Sequence, residues 1–336
     1  MINLSGKKIL VTGGAGFIGS NLVKKLVQEY HAIVTVLDDL FTGDRKHLEG
    51  VKCHFVKGSV EDVALVNELV SSNQIVFHLA ARNIIISNKN PREDLEVNVV
   101  GSFNIFEACL KYKIERVVYA STASVYGNPI KLPIQEEDNK RFLSFYSASK
   151  YNAEVYAKAF YEVNDLPVSV VRYSNVYGSN QSHVNPYCGV IGKFIKAALI
   201  DEPIQIHGDG EQTRDFTFIE DAVSATIAAA VSPKAIGEVY NVATGIETSV
   251  NHLVEIILEY TSSKSPVVYI DNRDIDNIRR RVMDIEKTRH DLKYQPLYSM
   301  KKGLSQTINW YREFFKYSFH LLSVSEVTGQ ILNAGI

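Results

Sequence analysis

The chain has 336 residues with 36 basic and 38 acidic side chains, a formal charge of −2, and is 46% hydrophobic and 22% charged. That balance excludes wholesale disorder, and the lack of a basic excess excludes a general binder of nucleic acid or anionic membrane. The length exceeds the roughly 250–300 residues that one core supports, which predicts one large domain and a smaller one. No apolar run approaches the roughly 18–20 residues that span a bilayer, and residues 1–8 carry no apolar signal segment. Cys53, Cys109 and Cys188 are widely spaced and form neither a disulfide framework nor a metal-ligand pair. A reducing, cytoplasmic location and no metal are expected.

From the N-terminus, short apolar runs alternate with helical periods. Residues 8–12 (KILVT) read as a buried strand, 20–29 as a helix, and 33–37, 53–56 and 75–79 as further strands. Residues 93–112 read as one long helix, with Leu95, Val99, Phe103, Phe106 and Leu110 three or four apart; 116–120 is a fifth strand. A helix over 148–162 and a strand over 168–171 follow. This alternation predicts a doubly wound, Rossmann-type α/β domain: a parallel sheet with helices on both faces and right-handed crossovers. Beyond Gly178 the pattern loosens. Residues 181–189 and 203–214 read as loops around short elements, and 250–260 and 304–314 as helices.

The first strand runs directly into Thr12-Gly13-Gly14-Ala15-Gly16-Phe17-Ile18-Gly19-Ser20. Glycines at this spacing permit a tight turn, close approach of backbone to a pyrophosphate, and hard packing of helix on strand. The helix N-terminus adds free N–H groups and partial positive charge. Asp38 ends the second strand, 19 residues after Gly19. A carboxylate there accepts the adenosine ribose hydroxyls and repels a 2′-phosphate. Asp39 follows with no arginine beside it in the sequence, so NAD is expected rather than NADP.

Hydroxyls cluster beyond the fifth strand, in Tyr119-Ala120-Ser121-Thr122-Ala123-Ser124-Val125-Tyr126-Gly127. In an open α/β sheet that edge binds ligands. Tyr146 and Lys150 are four apart, on one helix face. The Lys150 ammonium is expected to bring the Tyr146 phenol down from about 10 toward working pH, making it a general base.

At this point the sequence resembles the extended short-chain dehydrogenase/reductases, in their nucleotide-sugar epimerase/dehydratase group. The motifs are TGGAGFIGS (12–20), HLAA (78–81), NVVGSFNIFEAC (98–109), ASTASVYG (120–127), YSASK (146–150), VRYSNVYG (171–178), GDGEQTRDF (208–216) and RDID (273–276), spanning about residues 6–315. The resemblance implies that Gly13, Gly16, Phe17, Ile18, Gly19, Asp38, Asp39, Ser59, Val60, Leu79, Ala80, Ala81, Asn98, Tyr146, Lys150 and Tyr173 bind NAD. It implies that Thr122 shares the sugar 4-hydroxyl with Tyr146, that Lys150 holds the nicotinamide ribose, and that Ser121 and Ser124 face the substrate. Asn175, Arg214 and Arg273 match the residues on the substrate diphosphate, and Asp276 an acid near the nucleotide ribose. His207 lies where the family often has an aromatic residue by the base; a plain loop histidine is the alternative.

The 4,6-dehydratases resemble this chain but carry Asp-Glu after the catalytic threonine, where Ala123 and Ser124 stand here; UDP-glucuronate decarboxylases usually carry Glu at the second position. Both losses point to the outcome that needs no further acid, NAD-dependent 4-epimerisation of a UDP-sugar through a 4-keto intermediate. UDP-glucuronate decarboxylation is the alternative, and a non-catalytic NAD-binding protein a more distant one. Departures from the pattern are Ser59 for an acid near the adenine, and Phe145 and Gly192 for prolines. Arg281, three residues before Asp284, occupies a place that gates the sugar's C2 substituent in the galactose-type enzymes. It narrows the pocket, binds an anionic substituent, or points to solvent with Arg279 and Arg280.

The expected domains are a cofactor domain over 1–178 that takes back about 216–230, a sugar-nucleotide domain over 179–215 and 231–315, and a 316–336 tail without an assigned role. A homodimer is expected through helices 93–112 and 148–162, with no nucleic-acid or membrane partner.

Overall fold

The computed structural model describes residues 1–181, 189–272 and 277–315. Strands β1 (Lys8–Thr12), β2 (Ile33–Asp38), β3 (His54–Lys57), β4 (Ile75–His78), β5 (Arg116–Thr122) and β6 (Val168–Tyr173) lie in one parallel sheet. The chain then leaves it for β7 (Asn175–Tyr177), β8 (Ile204–His207) and β9 (Thr213–Phe218), and returns with β10 (Val239–Val242). The seven-stranded order is β10-β6-β5-β4-β1-β2-β3, which reverses direction at β1 as in dinucleotide-binding folds. The returned piece therefore reaches past 230 to Val242, further than the sequence suggested. Four residues of β10 carry no glycine or turn signal that would reveal the extra strand.

Helices α1 (Phe17–Gln28), α2 (Val63–Ser71), α3 (Ile84–Lys89), α4 (Pro91–Asp94), α5 (Gly101–Lys111), α6 (Phe145–Asn164), α7 (Val190–Leu199) and α8 (Ile219–Val231) cross over between strands. Side chains alternate across β1: Ile9 and Val11 join the core under α1 and α8, whereas Leu10 joins the core under α2, α5 and α6. Covering both faces is what makes the strands continuous apolar runs.

The expected 93–112 helix is broken. A π-helical turn, Leu95–Val100, separates α4 from α5. The wider turn shifts the periodicity, so Leu95, placed in the buried stripe by its spacing, is 43% exposed. β8 is a short element inside the stretch 203–214, which read as loops around short elements.

The second region is built from β7, β9 and β11 (Glu247–Ser249) in a three-stranded sheet, and from β8 paired with β12 (Val267–Ile270). α7 packs on α9 (Val250–Thr261), and α10 (Glu286–Leu292) and a helix over 300–315 close the fold. No described helix is long and apolar enough to cross a membrane. Among the described residues no cluster of His, Cys, Asp and Glu could hold a metal. The 316–336 tail and Cys188 lie outside the described residues.

Candidate active site

The parallel register brings the strand ends to one edge: Thr12 faces Leu37 and His78, His78 faces Tyr119, and Thr122 faces Tyr173. Beneath the glycine turn, His78 Nδ1 lies 2.7 Å from Thr12 Oγ1 and Nε2 2.9 Å from Ser102 Oγ. Ser102 gives its own proton to the Asn98 carbonyl, so His78 Nε2–H donates to Ser102. Full burial pushes the imidazole pKa down to about 3. The histidine of HLAA is a neutral tie between β1 and β4.

The turn is a cradle in which only glycine fits. A Cβ on Gly13 (φ +70°) would lie 2.7 Å from the Ala80 backbone nitrogen, and one on Gly19 2.1 Å from the Gly13 carbonyl. α1 begins at Gly16 with no side-chain cap and no acid in its first turn, so its N–H groups stay available to an anion. The donor set fits a dinucleotide pyrophosphate.

One groove along this edge is lined by Gly13, Gly16, Phe17, Ile18, Gly19, Asp38, Asp39, Ser59, Val60, Leu79, Ala80, Ala81, Ser121, Tyr146, Lys150 and Tyr173. Asp38 accepts hydrogen bonds from the Ala15 (2.9 Å) and Leu40 (2.8 Å) amides, which aim its carboxylate at the groove, while burial raises its pKa. Asn98 does not line the groove. Its amide holds the backbone of Arg82, accepting from the N–H (2.7 Å) and donating to the carbonyl (3.1 Å).

An arginine does reach Asp39, from the loop that follows β4, although none sits beside it in the sequence. Arg82 Nη1 lies 2.8 Å from Asp39 Oδ2 and Nε 2.6 Å from Glu93 Oε1. Two carboxylates already neutralise it, and with Asp38 this end of the groove keeps net negative charge, which still disfavours a 2′-phosphate. Phe41, Thr42, Gly43 and Arg82 also line the groove and were missed because they arrive from separate loops.

α6 starts with a reciprocal cap between Ser144 and Ser147, which fixes Tyr146 in its first turn. Tyr146, Lys150 and Glu154 then follow one face at i, i+4 and i+8. Burial pushes the Tyr146 phenol up to about 12, against a lowering hydrogen bond with Thr122. Burial pushes Lys150 down to about 7, opposed by Glu154 and Asp94. Lys150 Nζ sits 4.4 Å from the centre of the Tyr119 ring. Burial thus sets the direction of the Tyr146 shift, opposite to the lowering expected from the sequence, and Asp94 adds to it.

Thr122 donates to Ser124 Oγ (3.2 Å), and Ser121 donates to Glu154. Glu154 in turn holds Arg172 through two oxygens, with Nη2 at 2.6 Å, and both side chains are 4% exposed. Asp94, on the π-helical side, accepts from Asn98 (2.6 Å) and Ser149 (3.0 Å). Glu154 was detectable from its i+8 spacing to Tyr146; Asp94 had no such signal.

A second cavity of about 530 Å³ is lined by Asn175, Phe194, Gln205, His207, Gln212, Arg214, Phe216, Asn277 and Arg279, among others. Arg214 Nη1 donates to the Thr213 (2.8 Å) and Ile278 (2.7 Å) carbonyls. His207 Nδ1 donates to the Asp271 carbonyl (2.7 Å), which fixes the ring and leaves Nε2 as an acceptor. His207 ends β8 rather than standing in a loop. Arg273 and Asp276 lie outside the described residues. Of the three arginines at 279–281, Arg279 pairs with Asp209 (2.7 Å) and Arg280 with Glu247 (2.6 Å) at the surface, but Arg281 is only 3% exposed, which removes the solvent alternative.

Residues 9–243 match the model of the NAD dependent epimerase/dehydratase family. The UDP-N-acetyl-alpha-D-glucosaminuronate decarboxylase of Bacillus cytotoxicus is 36% identical over 321 residues, covering 91% of this chain and 98% of that protein. A putative UDP-glucose 4-epimerase of Methanocaldococcus jannaschii is 37% identical, covering 90% of this chain and 97% of its own length. The crystal structure of UDP-glucose 4-epimerase from Thermotoga maritima with UDP-glucose matches with a TM-score of 0.88 and 34% identity, covering 92% of this chain and 99% of that one. NAD is the family's cofactor and is bound in solved structures of its members. Glycine cradle, strand-end acid, Thr–Tyr–Lys site and whole-length similarity agree: the chain belongs to the NAD-dependent epimerase/dehydratase family of nucleotide-sugar enzymes.

Proposed function

We propose that the protein is a UDP-sugar 4-epimerase. The observation that carries this reading is Thr122-Ala123-Ser124: the catalytic threonine is followed by no carboxylate. Among the described residues, the carboxylates lining the two cavities are Asp38 and Asp39 at the adenosine end and Asp209, which is bound to Arg279. None of these three lies at the Thr122–Tyr146 end of the groove. When bound, NAD supplies a reversible hydride acceptor for the sugar C4 and a positive charge beside Tyr146. Tyr146 takes the proton of the 4-hydroxyl, whose oxygen Thr122 orients, and returns it to the same oxygen after the keto sugar has turned over. Lys150 holds the ribose and stabilises the phenolate. No net proton is consumed, so no further acid is required. Asn175, His207 and Arg214 bind the UDP moiety in the second cavity, the arginine through its fixed fork.

Decarboxylation of a UDP-uronate is the second reading. A ketone at C4 is β to a C6 carboxylate, so the same Thr–Tyr–Lys set labilises CO₂. The similarity to the Bacillus cytotoxicus relative favours it. Incubation with UDP-glucose, UDP-N-acetylglucosamine and UDP-glucuronate separately, followed by NMR of the products, tests both. C4 inversion is expected; a pentose or dehydrated product without inversion in any mixture overturns the epimerase reading.

We further infer a homodimer through α5 and α6; on α6, Val155, Tyr156 and Val163 are 52%, 41% and 77% exposed. Light scattering should give twice the chain mass, and Val155→Glu should shift it toward the monomer. A monomeric parent removes the inference.

A further inference from the structure

Arg82 joins two loops that the sheet order keeps apart. β1 lies between β2 and β4, so the strands that lead to Asp39 and Arg82 stand two spacings apart, about 10 Å. The Arg82 side chain crosses that gap above the carboxyl end of β1, where the glycine turn begins. Its backbone is held on both sides by the buried Asn98 amide, at 2.7 and 3.1 Å. Its guanidinium reaches Asp39 (2.8 Å) on the far wall and Glu93 (2.6 Å) on the near one, and lies 4.1 Å from the centre of the Phe41 ring. The side chain is 10% exposed, and Asp39, Phe41 and Arg82 all line the cofactor groove.

We propose that Arg82 is a clasp: its bridge from Glu93 to Asp39 and Phe41 closes the groove over the adenosine half of NAD and must open for the cofactor to pass. Asp38, beside the bridge, is the acceptor for the adenosine ribose, so the closed bridge lies over that ribose and the pyrophosphate that follows it. The planar fork satisfies two carboxylates and a ring face together, which a lysine cannot do. The Glu93 contact keeps the arm folded across the groove rather than extended into solvent. The proposal concerns cofactor residence alone and stands whichever sugar the enzyme converts.

A gate and an ordinary contact differ kinetically. Opening a gate speeds both entry and exit, whereas removing an ordinary contact speeds exit only. The experiment measures release of radiolabelled NAD from the holoprotein into excess unlabelled NAD, and association by fluorescence quenching of the apoprotein. Arg82→Gln should raise both rates by at least about tenfold, so that Kd moves less than either. Glu93→Gln, whose side chain does not line the groove, should move both rates the same way and carries the test if Arg82→Gln fails to fold. Added salt should speed release from the parent, by screening the bridge, and leave Arg82→Gln unaffected. Rates within about twofold of the parent in both variants, or faster release with unchanged association, would overturn the clasp.

Discussion

The buried pair between α6 and β6 gives a sharp stability prediction. Arg172 and Glu154 are 3% and 4% exposed, and Arg172 also donates to Tyr126 Oη and the Glu136 carbonyl, both at 2.8 Å. Arg172→Met deletes the directly paired cation and leaves the buried Glu154 carboxylate with the Ser121 hydroxyl as its hydrogen bond and Lys150 as a more distant positive charge. Removing one partner of a buried pair costs about 3–5 kcal/mol, because the remaining charge loses its direct counter-ion. At about 2–3 °C per kcal/mol for a chain of this size, the melting temperature should fall by about 6–15 °C. The double variant Arg172→Met/Glu154→Leu removes the stranded charge and should regain at least half of the loss. Differential scanning calorimetry at constant NAD measures both. A single variant within about 2 °C of the parent, or a double variant no more stable than the single, would refute the reasoning.

His78 supplies a pH dependence. Its folded pKa of about 3 lies below the unfolded value of 6.5, so the unfolded chain binds the extra proton between them. Its contribution is complete above about pH 6.5 and is lost as pH falls toward 3, at about 1.4 kcal/mol per pH unit; urea titrations from pH 7 to 5 should show this slope, and His78→Gln should remove that part of it. Gly19→Ala forces a Cβ to 2.1 Å from the Gly13 carbonyl, so the purified variant should retain no NAD on denaturation and nucleotide chromatography. Tyr146→Phe should lower kcat by about 10²–10⁴ while leaving NAD content intact; near-normal turnover would remove Tyr146 from its role.

The features legible in the sequence are those whose chemistry is local. The glycine turn, Asp38, and the i, i+4 pair of Tyr146 and Lys150 each announce themselves within a few residues. What escaped depends on chain segments meeting. Arg82 reaches Asp39 only because β4 and β2 flank β1, and β10 joins the main sheet by pairing with β6 far upstream. Leu95 read as buried because a spacing rule for α-helix was applied across a π turn. Three consecutive arginines look alike in sequence, but an isolated bridge pairs Met283 with Ile134 just beyond them, and of the three only Arg281 is buried.

The central claim concerns where hydrogen goes, and one measurement reads it. UDP-sugars incubated with the enzyme in D₂O should give a product inverted at C4 that carries no deuterium at any carbon, because the C4 hydrogen returns to its own carbon and Tyr146 exchanges only with oxygen. Deuterium at C5, with release of CO₂ or loss of the C6 hydroxyl and no C4 inversion with any substrate, would contradict the account.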